Sequence, residues 1–325
     1  MCIALISTSH PSYPLIVIDN RDVYFILKPF PPLPKEYLRR PTSAANWWPE
    51  PSANVLGGRD LARSIHGTWM GVTREGKIAV LTNYREKTSD EATGIQSRGA
   101  IVNSWLVAAE SREATRDFVQ RMVGSATARK VGGFSLVCGY VKEPLAIVSN
   151  RADNMEQIRW VASRKGETLG LSNTSVDDRS WPKILEGEKL VEEAIAAHVS
   201  GEGEDEDELI RKLLALLSRN TLPTLSEDAT AEDYLPYFRQ SIFIPLLGRK
   251  EGSGKASQEE KAGSVCGEGL PDQSYLHGPY GTQKQTVFLV RDDGTVRYFE
   301  RTLYDNDVKA IPIGEGDRSF EFQLQ

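Results

Sequence analysis

The sequence predicts an α+β protein, because segments typical of strands occupy both ends of the chain and segments typical of helices lie between them. No glycine-rich nucleotide-binding motif follows a predicted strand, so a doubly wound parallel sheet has no support. Apolar residues make up 40% of the 325 residues and aromatic residues 8%. That content suffices for a sizeable core and excludes disorder of the whole chain.

The clearest strand signals come in pairs. Residues 2–7 and 15–19 are β-rich runs separated by a turn of Ser, His and Pro, which predicts a hairpin at the N-terminus. Residues 68–73 and 77–82 flank the turn Arg74-Glu75-Gly76 and predict a second hairpin. Further strands are predicted over residues 134–140, 145–149, 158–162, 286–290, 295–301 and 320–324.

Apolar residues recur with helical spacing in three other parts of the chain. These are residues 101–122, residues 182–196 and residues 209–217. The acidic stretch at residues 202–208 precedes the last of them, where negative charge complements the positive end of a helix dipole. The sequence therefore predicts helices in each part.

The charge and the cysteine content restrict the class of protein. The formal net charge is −6 and no concentrated field of Lys and Arg occurs, which argues against a general nucleic-acid binder. No apolar run approaches the roughly 20 residues of a transmembrane helix. Cysteines at positions 2, 138 and 266 form no CxxC pair, so neither a zinc knuckle nor a disulfide framework is indicated, and a covalent c-type haem is excluded. Since no Lys or Arg precedes Arg21, we expect no mitochondrial presequence and a cytoplasmic protein.

We interpret residues 1–325 as a single domain. Residues 249–273 are rich in Gly, Ser, Lys and Glu with almost nothing to bury, so we expect a disordered surface loop within that domain. Cys266 lies in this loop and His277 is isolated, so we expect no metal site there.

Cys2 is the sharpest chemical feature of the sequence. A small residue at position 2 permits removal of Met1, which would leave a thiol and a free α-amine on one residue at the end of a strand. An α-amine titrates near ~7.7–8.0 and can accept the thiol proton, as in N-terminal nucleophiles. For an isolated Cys2, the alternative is a small buried side chain on an edge strand.

A set of short motifs follows Cys2 in a fixed order. They are Asn20-Arg21-Asp22, Glu36-Tyr37 with Arg40-Pro41, His66-Gly67-Thr68-Trp69-Met70-Gly71, Leu81-Thr82-Asn83-Tyr84 and Gly170-Leu171-Ser172-Asn173. The ordered set resembles the NRDE-motif family, the transport and Golgi organisation protein family. The resemblance runs from Met1 to the C-terminal Phe-Glu-Phe strand.

The chain departs from the family motif at one point. The family has Glu directly after the Asp, whereas residues 23–35 here separate Asp22 from Glu36. We interpret this segment as an insertion, either an artefact of the gene model or a lineage-specific loop. The assignment of Glu36 as the fourth motif residue depends on which it is.

The resemblance implies a four-layer αββα fold like that of N-terminal nucleophile hydrolases, and it extends to the choloylglycine-type cysteine amidases. By position, Arg21 and Asp22 match residues that border the nucleophile in those amidases, and Asn83 and Asn173 match oxyanion donors. Arg21 beside Cys2 would also favour the thiolate. The late Arg of these amidases has no match here. If the resemblance is set aside, the alternative interpretation is that these Asn and Asp residues are ordinary turn residues and that Arg21 and Asp22 form a structural ion pair.

Two functions follow from the resemblance. The first is handling of haem or acyl-CoA in haem trafficking, lipid homeostasis and Golgi and secretory organisation, in the cytosol or mitochondria, with no required cofactor and with transient membrane contact. The residues assigned to its small-molecule ligand are Cys2, Asn20, Arg21, Asp22, His66 and Trp69. Four tryptophans have two alternative predictions: they line a cleft between two sheets, or they belong to the core. They are Trp47, Trp48, Trp69 and Trp105. The second function is hydrolysis or transfer of an amide or thioester by Cys2.

Overall fold

Two antiparallel sheets packed face to face form the centre of the computed structural model, which describes residues 2–25, 41–85, 97–108, 114–201, 205–226, 228–248 and 279–325. The strands are β1 (Ile3–Ser7), β2 (Leu15–Tyr24), β3 (Asn46–Trp47), β4 (Val55–Gly57), β5 (Met70–Thr73), β6 (Lys77–Asn83), β7 (Phe134–Tyr140), β8 (Leu145–Ser149), β9 (Arg159–Val161), β10 (Thr168–Leu171), β11 (Tyr280–Val290), β12 (Thr295–Thr302) and β13 (Asp317–Gln323). The first sheet has the order β10-β1-β2-β11-β12-β13, and the second runs consecutively from β3 to β9.

Helices cover the outer face of each sheet. They are α1 (Gly99–Leu106), α2 (Thr115–Met122), the short α3 (Ala126–Arg129), α4 (Pro182–Ser200) and α5 (Glu206–Leu217). α1 and α2 pack on the second sheet, with Trp105 and Phe118 in the shared core. α4 and α5 pack on the first sheet. The order of layers is therefore αββα, which confirms the predicted fold class.

Alternation of side chains along β1 and β2 decides which layer each residue joins. Ala4 and Val17 point into the core between the two sheets, whereas Leu5 and Ile18 point into the core beneath α4 and α5. Both faces of these strands are buried, so they form continuous apolar runs rather than alternating ones. Gly187 lets α4 approach the first sheet, since a Cβ there would lie 2.9 Å from Leu5.

Most predicted strands and helices are confirmed, with two informative differences in the strands. β2 continues five residues beyond residue 19, so the Asn20-Arg21-Asp22 motif lies within the strand and not after it. β11 begins at Tyr280, six residues before the predicted start at 286, because its first half is polar and buried. Apolar periodicity carries no signal for a buried polar strand.

The two segments that the sequence sets apart lie mostly outside the described residues. Of residues 23–35, Val23 and Tyr24 extend β2 and pair with Gly281 and Tyr280, Phe25 follows them, and the remaining residues are not described. Glu36 and the whole of residues 249–273 also lie outside the described residues. Their assignments as an insertion, a fourth motif residue and a disordered loop stay predictions.

Candidate functional site around Cys2

Cys2 lies at one end of the first sheet, between two motif residues. β1 pairs with β10 so that Ala4 faces Leu171, and with β2 so that Ile3 faces Asn20. If the pairing with β10 is extended by two residues and the pairing with β2 by one, Cys2 lies between Asn173 and Arg21. The sequence motifs that are far apart along the chain therefore meet at this end of the sheet.

The Cys2 thiol is held against the backbone of the neighbouring strand. Its side chain is 7% exposed, and Sγ lies 3.5 Å from the amide nitrogen of Asp22, which donates to it. Burial raises the pKa of Cys2 and the carboxylates of Asp22 and Asp19 raise it further, whereas the positive amino terminus and the hydrogen bond from the Asp22 amide lower it. The net direction is upward, which favours the neutral thiol. The expectation that Arg21 favours the thiolate stays a prediction.

Arg21 is engaged between the two sheets. Its Nη1 donates to Oε1 of Gln283 at 2.6 Å, and its Nη2 lies 3.7 Å from Oδ2 of Asp60. The guanidinium also lies 4.0 Å above the ring of Trp69. These contacts connect Arg21 of the first sheet to Asp60 and Trp69.

Asp22 points to the opposite face of β2 from Arg21. Its Oδ1 accepts a hydrogen bond of 2.6 Å from the Thr282 hydroxyl. The pairing of β2 with β11 shifts between Thr282 and Lys284, and the bulge there releases the side chain of Gln283 to reach Arg21. Neighbouring residues of β11 thus hold both charged residues of the motif.

Asn83 and Asn173 meet at the same end of the sandwich, each from a different sheet. Nδ2 of Asn173 donates to the carbonyl oxygen of Asn83 at 2.6 Å. Beside them, the Thr82 hydroxyl donates to the carbonyl of Ser172 at 3.1 Å, and the Ser172 hydroxyl donates to the carbonyl of Cys2 at 2.7 Å. The structure thus brings both asparagines to the Cys2 end of the sheet, and Nδ2 of Asn173 is hydrogen-bonded to the protein backbone there.

The other residues assigned to a ligand have separate environments. Asn20 faces the helical layer, where Nδ2 donates to the carbonyls of Leu217 and Ile242 at 2.7 and 2.9 Å. His66 lies in the loop before β5 with a positive φ of 44°, and its carbonyl accepts from Nε of Arg59. Trp69 is buried beneath Arg21. The structure therefore places Asn20, His66 and Trp69 in three different surroundings rather than in one pocket.

Relatives of this chain match it over nearly its whole length. The sequence model of the family "Transport and Golgi organisation 2" matches residues 1–305. The chain belongs to this family. The "Transport and Golgi organization protein 2 homolog" of Bos taurus is 28% identical over 320 residues, covering 98% of this chain and 95% of the relative. The human homologue is 26% identical with the same coverage. An uncharacterised Saccharomyces cerevisiae protein is 26% identical over 345 residues, covering 100% of both.

Solved structures that are similar to this member of the Transport and Golgi organisation 2 family are more distant. A mutant of the conjugated bile acid hydrolase from Clostridium perfringens is 10% identical with a TM-score of 0.42, covering 100% of this chain and 98% of that one. Penicillin V acylase from Agrobacterium tumefaciens is 10% identical with a TM-score of 0.43, covering 99% and 86%.

Sequence reasoning missed one charged residue near the thiol of this family member. Lys183 is fully buried at the start of α4, where a cation opposes the helix dipole. Burial lowers its pKa to about 8, although Asp22 and Cys2, both close enough to act on it, raise it. A Lys in the first turn of a helix is ordinarily exposed, so no pattern in the sequence signals this position.

The described residues contain no group of three or more His, Cys, Asp or Glu side chains that could hold a metal ion. Among the described helices, none combines the length and the apolar character needed to cross a membrane.

Proposed function

We propose that the chain is a non-enzymatic or weakly enzymatic protein that handles an amphipathic small molecule, haem or acyl-CoA. Membership of the Transport and Golgi organisation 2 family supports placing this activity in transport and Golgi organisation. We also propose a cytoplasmic location with transient contact to Golgi or mitochondrial membranes, in the context of haem trafficking and lipid homeostasis.

The state of the Cys2 thiol is the observation that carries this proposal. A thiol attacks a carbonyl as the thiolate, and burial beside Asp22 and Asp19 raises the pKa of Cys2. Arg21 is committed to Gln283 and Asp60, and Nδ2 of Asn173 to a backbone carbonyl. A buried thiol with a raised pKa, beside motif side chains that bind other parts of the protein, supports ligand handling over rapid turnover.

Direct titration of the full chain tests the proposal. We expect saturable binding of about one haem per chain by absorbance, or of about one palmitoyl-CoA per chain by calorimetry. Free coenzyme A and palmitate, titrated separately, are the matched controls for the two ends of the acyl thioester. If neither haem nor palmitoyl-CoA binds saturably, the proposal is wrong.

The convergence at Cys2 favours a second candidate function, acyl transfer or amide hydrolysis. Asn173 and Asn83 lie together at the Cys2 end of the sheet, and removal of Met1 would place an α-amine beside the thiol. In such a reaction the Cys2 sulfur attacks the acyl carbon, the α-amine takes the thiol proton, and that proton leaves with the amine or thiol that is expelled.

Intact-mass spectrometry separates the two candidates. Protein made with its native N-terminus is incubated with acyl-CoAs and N-acyl amides and then denatured. An acyl adduct on Cys2, absent from Cys2→Ala, would establish the covalent chemistry. A retained Met1, or a free Cys2 that never becomes acylated, would favour the handling function.

A further inference from the structure

A cavity of about 840 Å³ opens where the edge strands of the two sheets come together. β3 is the edge of the second sheet and β13 the edge of the first. The described lining shares no residue with the set around Cys2, but it includes Trp47 and Trp48, two of the tryptophans that the sequence places either at a cleft or in the core. Trp48 is 4% exposed and belongs to the core. The other aromatic and charged lining residues are Arg59, Asp317, Arg318 and Phe320.

Arg59 is held in place at this cavity with part of its guanidinium unused. Its backbone amide donates to the hydroxyl oxygen of Ser43 at 2.9 Å, and its Nε donates to the carbonyl of His66 at 3.1 Å. The guanidinium lies 4.6 Å from the ring centre of Trp48. Among the described residues, the two terminal nitrogens have no hydrogen-bond partner and no carboxylate within ion-pair distance. Burial lowers the pKa of Arg59, so its charge is only partly solvated.

Arg318 supplies a second positive charge from the opposite wall. It lies on β13 directly across from Glu300 of β12, yet Oε1 of Glu300 is bound by Lys284 and by the amide of Ala45. Within the described part of the chain, Arg318 forms no ion pair. Asp317, the carboxylate among the lining residues, is bound through both oxygens by Arg301. The cavity therefore concentrates positive charge on a protein whose net charge is −6.

The remaining walls of the cavity consist of flat aromatic side chains and of small residues. Trp47 is half-buried, with the Arg74 guanidinium 3.8 Å from its ring centre and Phe322 edge-on to it. Ala44, Ala45 and Gly57 leave space between the aromatic side chains. Aromatic walls with a few placed cations are typical of sites for ligands that combine a planar ring system with an anionic group.

We propose that this cavity binds a small molecule with a planar ring system and at least one anionic group, the ring against Trp47 and Phe320 and the anion on Arg59 and Arg318. The inference rests on the proposed handling function and moves its ligand from the motif residues around Cys2 to the sandwich edge. No His, Cys, Met or Tyr occurs among the described lining residues, so a haem bound here would use its carboxylates and its plane, without an iron ligand from the lining.

A matched pair of probes tests the ring and the charge separately. Pyrene-1-butanoate and pyrene-1-butanol share the ring and differ in the anion, and their binding to the full chain is followed by pyrene emission. We expect pyrene-1-butanoate to saturate at one per chain and to lose about tenfold or more in affinity in the Arg59→Gln/Arg318→Gln variant. Binding of pyrene-1-butanol should be weaker and unchanged by the substitutions.

Two further variants complete the test. Arg318→Gln alone changes an exposed residue of the cavity, so its affinity for pyrene-1-butanoate can still be measured if Arg59→Gln impairs folding. Arg129→Gln removes an exposed arginine on α3 and should bind like the wild type. Equal binding of pyrene-1-butanoate by wild type and by the cavity variants, or no saturable binding, overturns the inference.

Parallel titrations with haem and palmitoyl-CoA separate this inference from the proposed function. If either binds the wild type and the Arg59→Gln/Arg318→Gln variant equally, the cavity assignment is wrong and the handling function stands. If pyrene-1-butanoate binds at the arginines while neither haem nor palmitoyl-CoA binds, the cavity assignment stands and the handling function is wrong.

Discussion

At the scale of single residues, burial is the largest influence on the Cys2 thiol and favours its neutral form. Asp22 and Asp19 raise its pKa further, and the amino terminus and the Asp22 amide only partly oppose them. The same side chain in an unfolded chain would titrate near ~8.5 and would be open to solvent. Folding should therefore suppress both the thiolate fraction and the access of reagents to Sγ.

This environment predicts slow alkylation of Cys2. At pH 7.5 iodoacetamide should modify the Cys2 peptide at least roughly tenfold more slowly in the native protein than in urea, because the thiolate is the reactive species. The rate of alkylation in the native protein should continue to rise as the pH is increased beyond 9. Peptide mass spectrometry distinguishes Cys2 from Cys138, which is also buried. Equal native and denatured rates at pH 7.5 would contradict the burial and the raised pKa.

The candidate site could be predicted only where residue order carries information. The ordered motifs identify Arg21, Asp22, Asn83 and Asn173, and pairing of the strands brings them to Cys2. Gln283 reaches Arg21 only because of a bulge, which no pattern in a buried polar strand reveals.

At the scale of elements, two buried histidines connect the loop after β1 to the junction between α4 and α5. The amide of Ser12 donates to Nδ1 of His10, so Nε2 of His10 carries the proton and donates to Nδ1 of His198 at 3.0 Å. Nε2 of His198 then donates to the carbonyl of Asp205, the residue that caps α5. This chain of hydrogen bonds requires both rings to be neutral.

The histidine pair predicts that stability falls in mild acid. Burial and the neighbouring His198 lower the pKa of His10 to about 4, while Asp292 acts weakly in the other direction. Between pH 6.5 and 4 the unfolded state therefore binds more protons than the folded state. The contribution is fully present above pH 6.5 and is lost progressively as the pH falls toward 4.

Urea unfolding at pH 7, 6 and 5 measures this contribution. The free energy of unfolding of the wild type should decrease over that range more steeply than that of His10→Gln, which cannot titrate there. His66→Gln is a control, because His66 lies in another loop and is only half-buried. An identical pH dependence for wild type and His10→Gln would show that the pair does not link protonation to folding.

At the scale of the whole molecule, the two sheets are joined by more than apolar packing. Lys284 and Glu300 form an ion pair of 2.9 Å on the inner face of the first sheet, and they are 1% and 0% exposed. Oε1 of Glu300 also accepts from the amide of Ala45, which comes from the segment leading into β3 of the second sheet. Apolar periodicity predicts most of the strands and helices, and the family resemblance implies the four layers. Neither predicts this link, because two charged residues in a core contradict the apolar pattern.

Removal of one partner should therefore cost more than removal of both. Lys284→Met leaves the Glu300 carboxylate buried and uncompensated, which costs about 3–5 kcal/mol of stability for pairs of this kind. In Lys284→Met/Glu300→Gln the amide is neutral and its oxygen still accepts from Ala45, so the loss should be smaller than in Lys284→Met alone. Urea unfolding of the wild type, both single variants and the double variant gives the coupling energy. Additive losses would mean that the two charges do not stabilise each other.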